Sequence, residues 1–310
     1  MANTLLTPDI LARQALATLH ETLVMKPLVH TDHSREWGAQ QIGDTVNIRK
    51  PVVFEAQDFN RATGIQLQDA TEGKIPVKLD RIADVSFAVT SEELTLDIVD
   101  FDAQLLTPAM QAIAQKIDRA ILSLRDDITQ EVGHYPTGDP RNDKRPWHKP
   151  EVLIEAGKVL DINLLPETER HAVTGPTIKA EWLDSDLLKN AHQSGSTEGL
   201  RKASIGRDLF GFDAYQTQNV GQPSLSPTPG QPTTEVGVAF HRSAFAFVSA
   251  PLAVAPGSYA AVASYEGVSI RVAYQYVIEK KHTIVSLDTL YGVKTIDPKR
   301  AVLIKGADAA

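Results

Sequence analysis

Cysteine is absent from this 310-residue chain, which excludes disulfides, thiolate nucleophiles and Cys-based zinc sites and points to a reducing compartment. Long apolar runs are missing as well. No uncharged stretch approaches the roughly 20 residues needed to span a bilayer, and Met1 to Ile10 lacks the basic-then-apolar order of an export signal, so neither export nor membrane insertion is expected. Nor is there a positive balance. The formal net charge is -8, which argues against a protein whose main task is gripping phosphate backbones, because that affinity comes from Lys and Arg displacing counterions. A container for nucleic acid stays open, since confinement rather than binding then holds the cargo. What the chain does have is an apolar content of 42%, enough for a substantial core in one large or two medium domains.

The most informative stretch is a pair of strand-like runs. Asp44 to Phe54 alternates Val46, Ile48, Val52 and Phe54, and Ile75 to Val89 alternates Ile75, Val77, Leu79, Val85, Phe87 and Val89, the period of half-buried strands. Both read as arms of one long hairpin. Between them, Glu55 to Lys74 is polar apart from Phe59, Ile65 and Leu67. A connection of that length without a core of its own signals a functional projection, and the expectation is an arm that reaches a neighbouring molecule.

Elsewhere the pattern alternates helix and strand. Thr7-Pro8-Asp9 opens a helix lined by Leu11, Ala15, Leu19 and Leu23 that stops near Lys26 before Pro27. Two readings of it compete, packing on its own core and docking on another subunit. From Thr107-Pro108 a helical period through Ala109, Ile113, Ile117, Ala120, Leu124 and Ile128 predicts a spine helix extending to Val132, on the order of 35 Å long at about 1.5 Å per residue. His134 to Pro150 reads as a boundary loop. Further helices are expected after Pro150 and from Pro176 to Asn190, strands at Ala172-Val173-Thr174, Gly206 to Gln218 and Val236 to Val248, and an exposed irregular connection at Gln222 to Pro232. The cleanest β pattern closes the chain, with Val268 to Ile278, a turn at Lys280-Lys281, Thr283 to Leu287, and Val302 to Ile304. The fold class is α+β.

Catalytic constellations are not found. The sequence contains no phosphate-loop, dinucleotide-binding, His-Glu-x-x-His or nucleophile-elbow motif, and Gly195-Ser196-Thr197-Glu198-Gly199 lacks the lysine a phosphate loop needs. His30, Asp32, His33 and Glu36 have metal-capable side chains but read as a solvated connector. The basic knot Arg141, Lys144, Arg145, His148 and Lys149 around Trp147 is diluted by Asp139 and Asp143, and reads as a solvated loop, with a nucleic-acid contact as the lesser alternative. Glu92-Glu93 and Asp126-Asp127 are neighbours whose side chains diverge. No catalytic residue, cofactor or metal site is expected.

The whole arrangement resembles the major capsid (coat) protein of tailed bacteriophages, the Hong Kong 97-like fold, and within it the P-twenty-two-like coat protein branch. The residues that carry the resemblance are Ala15-Leu16-x-x-Leu19 leading into Leu28-Val29-His30, Gly43-Asp44-Thr45-Val46-Asn47-Ile48-Arg49, and Leu287-Asp288-Thr289-Leu290-Tyr291-Gly292-Val293-Lys294 with Arg300-Ala301-Val302. The resemblance implies an N-terminal arm over residues 1–38 and an extended loop over 39–89. It implies a peripheral domain with a long spine helix over 90–147 and 258–310, and an axial domain over 148–257. The β-barrel insertion frequent in that branch is reduced here to the proline-rich Gln222 to Pro232.

By the same resemblance the chain self-assembles as pentamers and hexamers into an icosahedral shell, first a procapsid, with a scaffolding protein and a portal as partners. The shell encloses double-stranded DNA without sequence-specific binding, without a membrane, as a virion assembled in the host cytoplasm. Leu11, Leu19 and Leu23 in the arm, and Phe59, Ile65 and Leu67 in the loop, are the expected inter-subunit contacts. Lys74 is a cross-linking candidate by position only. The alternatives are an encapsulin-like bacterial nanocompartment shell and, from another class, a cytoplasmic α/β enzyme or binding module.

Overall fold

The computed structural model describes residues 8–31, 45–50, 61, 73–90, 92, 102–136, 138–185, 209–265 and 267–309. Helix α1 (Pro8–Thr22) starts on the proline, whose fixed φ suits a first turn. It ends four residues before the expected Lys26, and a 3₁₀ turn at Lys26–Leu28 carries the chain past Pro27. Strands β1 (Thr45–Lys50) and β2 (Gly73–Lys78) follow, then β3 (Arg81–Thr90).

The spine helix is shorter than its periodicity predicts. A π-helical turn at Asp102–Leu106 runs directly into α2 (Thr107–Leu122), about 24 Å long, so Thr107 lies within a continuous helical backbone and does not cap. Beyond Leu122 the backbone tightens to 3₁₀ over Ser123–Asp127, and Glu131–Val132 is strand β4. Two acids close to a helix C-terminus oppose its dipole, and tertiary partners take up the side chains there. Arg125 donates to the carbonyls of Val220 (2.9 Å) and Val236 (3.3 Å), while Asp127 accepts from Thr295 Oγ1 at 2.6 Å. Leu124 and Ile128, which continue the helical period in sequence, are buried from a backbone that is no longer α-helical, Leu124 within the 3₁₀ turn and Ile128 just after it.

Besides a single helical turn at Arg141–Lys144 and short 3₁₀ turns, the later elements are α3 (Val152–Ile162), β5 (Arg170–Thr174), α4 (Pro176–Asp184), β6 (Asp213–Gln216), β7 (Gly237–His241), β8 (Phe245–Ala250), β9 (Tyr259–Tyr265), β10 (Val268–Val277), β11 (His282–Thr295) and β12 (Ala301–Ile304). They build two larger sheets. One has the order β3-β11-β10-β9, all antiparallel, with β8 beside the second half of β11; the other is mixed, in the order β4-β12-β7-β5-β6.

In the first sheet Val85, Leu287, Val272 and Ala261 fall in one row across four strands, and this face packs on α1 and α2 in one apolar core. The adjacent row, Asp84, Asp288, Arg271 and Val262, points the other way. There Arg271 clasps Asp288 in a bidentate pair, Nη2 to Oδ2 at 2.6 Å and Nε to Oδ1 at 3.0 Å. Sheet membership does not follow the boundaries expected near residues 147 and 257. β8 joins the first sheet, whereas β4 and β12 join the second, because β12 finds its antiparallel partner in β7.

The second core gathers Leu153, Ala156 and Leu160 of α3 with Ala172, Ala239, Val302, Phe212 and Trp182. Trp182 is fully buried, and its indole N–H donates to the Trp147 carbonyl at 3.0 Å. Trp182→Phe should cost about 1–2 kcal/mol, combining a small void with the loss of a donor to a partly buried carbonyl. Urea unfolding followed by tryptophan fluorescence of the remaining indoles checks this; an unchanged midpoint would mean the hydrogen bond is not holding α4.

Candidate functional site

The two strands expected to flank the polar stretch do pair, while nearly all of that stretch lies outside the described residues. β1 and β2 pair antiparallel from Thr45↔Lys78 to Lys50↔Gly73, so residues 51–72 leave and return at the Lys50–Gly73 end of the ladder. Val46, Ile48, Val77 and Leu79 are buried against Ala246, Val248 and Ala250 on β8. Small residues on β8 let the ribbon lie close to it, and the apolar face of the ribbon is anchored to the body.

The second arm is not one strand. Ile75 to Val89 was expected to run unbroken, but the chain leaves the ribbon at Leu79-Asp80, and β3 pairs along β11 in a different sheet. Alternation cannot reveal this break, because odd-numbered residues point inward on both sides of it. The crossing is made over Gly292 of β11. A Cβ there would lie 2.2 Å from the Lys78 carbonyl oxygen, far inside van der Waals contact, so the backbone passes where only glycine leaves room.

The arm residues are corrected by the structure. Leu11, Leu19 and Leu23, expected to dock on a neighbouring subunit, are 3%, 0% and 5% exposed within their own chain. They share a core with Met110, Ile113 and Ile117 of α2 and with the inner face of the sheet. Ala12 and Ala15 on the same stripe allow close approach, and the face is used up inside the subunit. Phe59, Ile65 and Leu67 lie outside the described residues. Arg61, between them in sequence, is exposed. Lys74 is exposed in β2, in register with Arg49.

Where the arm joins the body, Asp118 of α2 is 1% exposed and accepts backbone hydrogen bonds from Val24 (3.2 Å) and Met25 (3.1 Å). Burial pushes its carboxyl up to about 6, and the Met25, Val24 and Asn219 hydrogen bonds offset this only in part. Sequence reasoning passed over Asp118. Its signal is an acid immediately after Ile117 on an otherwise apolar helix face. Burial likewise lowers His171, near the start of β5, and His241, at the end of β7, where its register partner is Arg170.

The basic knot is largely absorbed by internal partners. Arg141 pairs with Asp139 at 2.6 Å and lies over the Tyr135 ring at 4.3 Å, and its hydrogen bonds hold the Asp139 carboxyl down at about 2. Arg145 pairs with the buried Glu155, and Lys149 Nζ donates to the Asp143 carbonyl. These partners favour the loop reading over a nucleic-acid contact. Of the four metal-capable residues, His30 takes part in a backbone bridge with Ala246, and Asp32, His33 and Glu36 lie outside the described residues, as does the Gly195–Gly199 stretch. Among the described residues no helix is long and apolar enough to cross a membrane.

No family model and no curated protein matches the chain. Solved structures do. A Mycobacterium phage Che8 structure is similar over 91% of this chain and 90% of its own, with a TM-score of 0.63 at 21% identity. The capsid structure of Cyanophage P-SCSP1u is similar over 86% and 85%, with a TM-score of 0.61 at 12% identity. A virus-like particle from Pyrococcus furiosus is similar over 95% and 98%, with a TM-score of 0.52 at 12% identity. The fold is the α+β, Hong Kong 97-like fold of tailed-phage capsid proteins, as the resemblance in sequence implied.

Proposed function

We propose that this chain is a major capsid protein that self-assembles into the icosahedral head shell of a tailed double-stranded DNA bacteriophage. The observation that carries the reading is the capsid fold over about nine-tenths of the chain, combined with a ribbon locked to the body at β8 and continuing into residues 51–72. In this reading Phe59, Ile65 and Leu67 supply apolar contacts to neighbouring copies, which form pentamers and hexamers. Large contacts of this obligate kind couple the stability of each subunit to assembly.

The role is structural rather than catalytic. The shell assembles in the host cytoplasm with a scaffolding protein and a portal, encloses the genome by confinement, and ends as the virion. The first sheet with α1 and α2 serves as the peripheral part, and the second sheet with α3 and α4 as the axial part.

Purified protein should sediment as megadalton particles that negative-stain imaging shows as closed shells. Deleting Gln57 to Glu72 should leave a folded subunit that closes none. Shells of normal size from the deletion variant would overturn the role given to the loop, and a discrete small oligomer from the intact chain would favour the enzyme or binding-module class. The similarity to the Pyrococcus furiosus virus-like particle over nearly all of both chains supports a second reading, a nanocompartment shell. Neighbouring genes for a portal, terminase or tail separate the two.

A further inference from the structure

Two passages between the larger sheets run side by side. β7 of the second sheet reaches β8 of the first through a 3₁₀ turn at Arg242–Ala244, and β11 of the first reaches β12 of the second through Ile296, Asp297 and a 3₁₀ turn at Pro298–Arg300. They are stitched together. The Ala244 carbonyl accepts from the backbone N–H of Ile296 (2.8 Å) and of Asp297 (3.4 Å), and Arg300 Nη1 donates to Ser243 Oγ at 2.6 Å. A rotation of one sheet against the other would bend both passages at this point.

The turn after β7 is capped by a histidine. His241 is 8% exposed, and its Nδ1 accepts from the Ser243 backbone N–H at 3.2 Å and lies 2.7 Å from Ser243 Oγ. Asn, Asp, Ser or Thr is the common choice for such a cap, and histidine differs from them in changing charge near neutral pH. The hydrogen bonds fix the state of the ring. Ser243 Oγ already accepts from Arg300, so its hydroxyl proton points to Nδ1, and a ring nitrogen that accepts carries no proton. His241 is therefore neutral, with its proton on Nε2.

A proton at Nδ1 breaks this arrangement in two ways. The Ser243 N–H loses its acceptor, and the ring becomes a second cationic donor converging on the oxygen that Arg300 already holds. The surroundings offer little to offset this. Arg300, Arg170 and His171 repel a positive ring, while Glu169 attracts one but is itself engaged by the Arg242 guanidinium at 3.0 Å. Asp297 lies on the far side of Arg300, accepting from its Nε at 3.4 Å. His171 is placed differently, because Asp213 Oδ2 stands 3.9 Å from its Nδ1 and can receive the charge.

We propose that His241, Ser243 and Arg300 form a proton-operated hinge between the two sheets, closed while Nδ1 accepts and released when Nδ1 takes a proton from solvent. The passage released leads into β8, against which the β1–β2 ribbon packs. Linkage gives the sign. Burial, followed by the Arg300 charge, lowers the folded-state pKa of His241 beneath its ordinary 6.5, so the opened turn binds a proton more tightly than the closed one. The closed turn has its full stability above that ordinary value and loses it as pH falls below it.

Hydrogen exchange of the full chain, read by mass spectrometry at pH 7.5 and pH 5.5 and corrected for intrinsic chemistry, tests the hinge. Peptides covering residues 242–247 and 296–301 should exchange several-fold faster at the lower pH. Asp118 titrates at a different junction, outside these peptides. His241→Asn keeps an oxygen that accepts from the Ser243 N–H and cannot take the proton, so its acid response should vanish. Arg300→Gln keeps a donor to Ser243 Oγ without the opposing charge and should show a weaker response, which decides the matter if His241→Asn folds poorly. His171→Asn should respond as the parent does.

Equal exchange at both pH values in the parent, an undiminished response in folded His241→Asn or in Arg300→Gln, or a response lost in His171→Asn would each overturn the hinge. The hinge belongs to the subunit, so failure of the chain to form particles would overturn the capsid reading and leave this inference standing.

Discussion

Gly292→Ala is expected to lower unfolding stability by about 3 kcal/mol or more and to abolish shell formation, the upper range for overpacking at a site that cannot yield. The cause is a backbone crossing. A methyl group at Gly292 would sit 2.2 Å from the Lys78 carbonyl oxygen, and a carbonyl in the main chain cannot swing aside as a side-chain tip would. Gly292 is itself fixed, paired with Val248 on β8, and next to Tyr291, which is buried and stacked on Phe247 at 6.1 Å.

The strain must therefore be relieved by lifting the chain at Lys78-Leu79, which pulls Val77 and Leu79 off β8 and re-aims the whole ribbon. Denaturant unfolding of the unassembled subunit measures the first effect, and sedimentation of the assembly reaction measures the second. Wild-type stability with normal shells would mean that the crossing is not close.

Asp118→Asn should make the subunit more stable at pH 8 and change it little at pH 4. The carboxyl has a folded-state pKa of about 6 against 3.8 as its ordinary value, so between these pH values the folded chain binds more protons than the unfolded one. Stability from this group is then fully present below about 3.8 and is lost as pH rises through about 6. The upward shift corresponds to about 3 kcal/mol at 1.36 kcal/mol per pKa unit. Asparagine mimics the protonated acid, so the variant should gain up to that amount over the parent above pH 7, with the difference vanishing toward pH 4. Unfolding free energies of both proteins across pH 4 to 8 check the sign. A constant difference, or one that grows on acidification, would mean that the buried carboxylate is not penalised.

Much of this architecture was legible because it is written in contiguous residues. Pro8 and Pro176 mark helix starts, alternation gives β1, β2 and β10, and Lys280-Lys281 falls in the turn before β11, where Lys281 adopts φ +52°. The root of the projection was visible for the same reason, from two alternating runs flanking a polar stretch. Other features depended on which surface a segment meets. A stripe such as Leu11, Leu19 and Leu23 gains the same burial free energy against its own core as against a neighbour, so its periodicity cannot say which. The passage from β2 to β3 keeps its phase, so only the opening at Gly292 shows where the chain changes sheets.

Composition and local periodicity thus established by themselves an α+β chain without disulfides, with two alternating runs that pair at the root of a hairpin. Tertiary structure alone decided that the arm helix is spent on its own body, that α2 stops at Leu122, that β12 pairs with β7, and that a buried acid at Asp118 joins the arm to the spine. The physical reason is the range of the forces involved. Backbone preference acts between neighbours in sequence, whereas packing, desolvation and strand pairing depend on residues brought together from far along the chain.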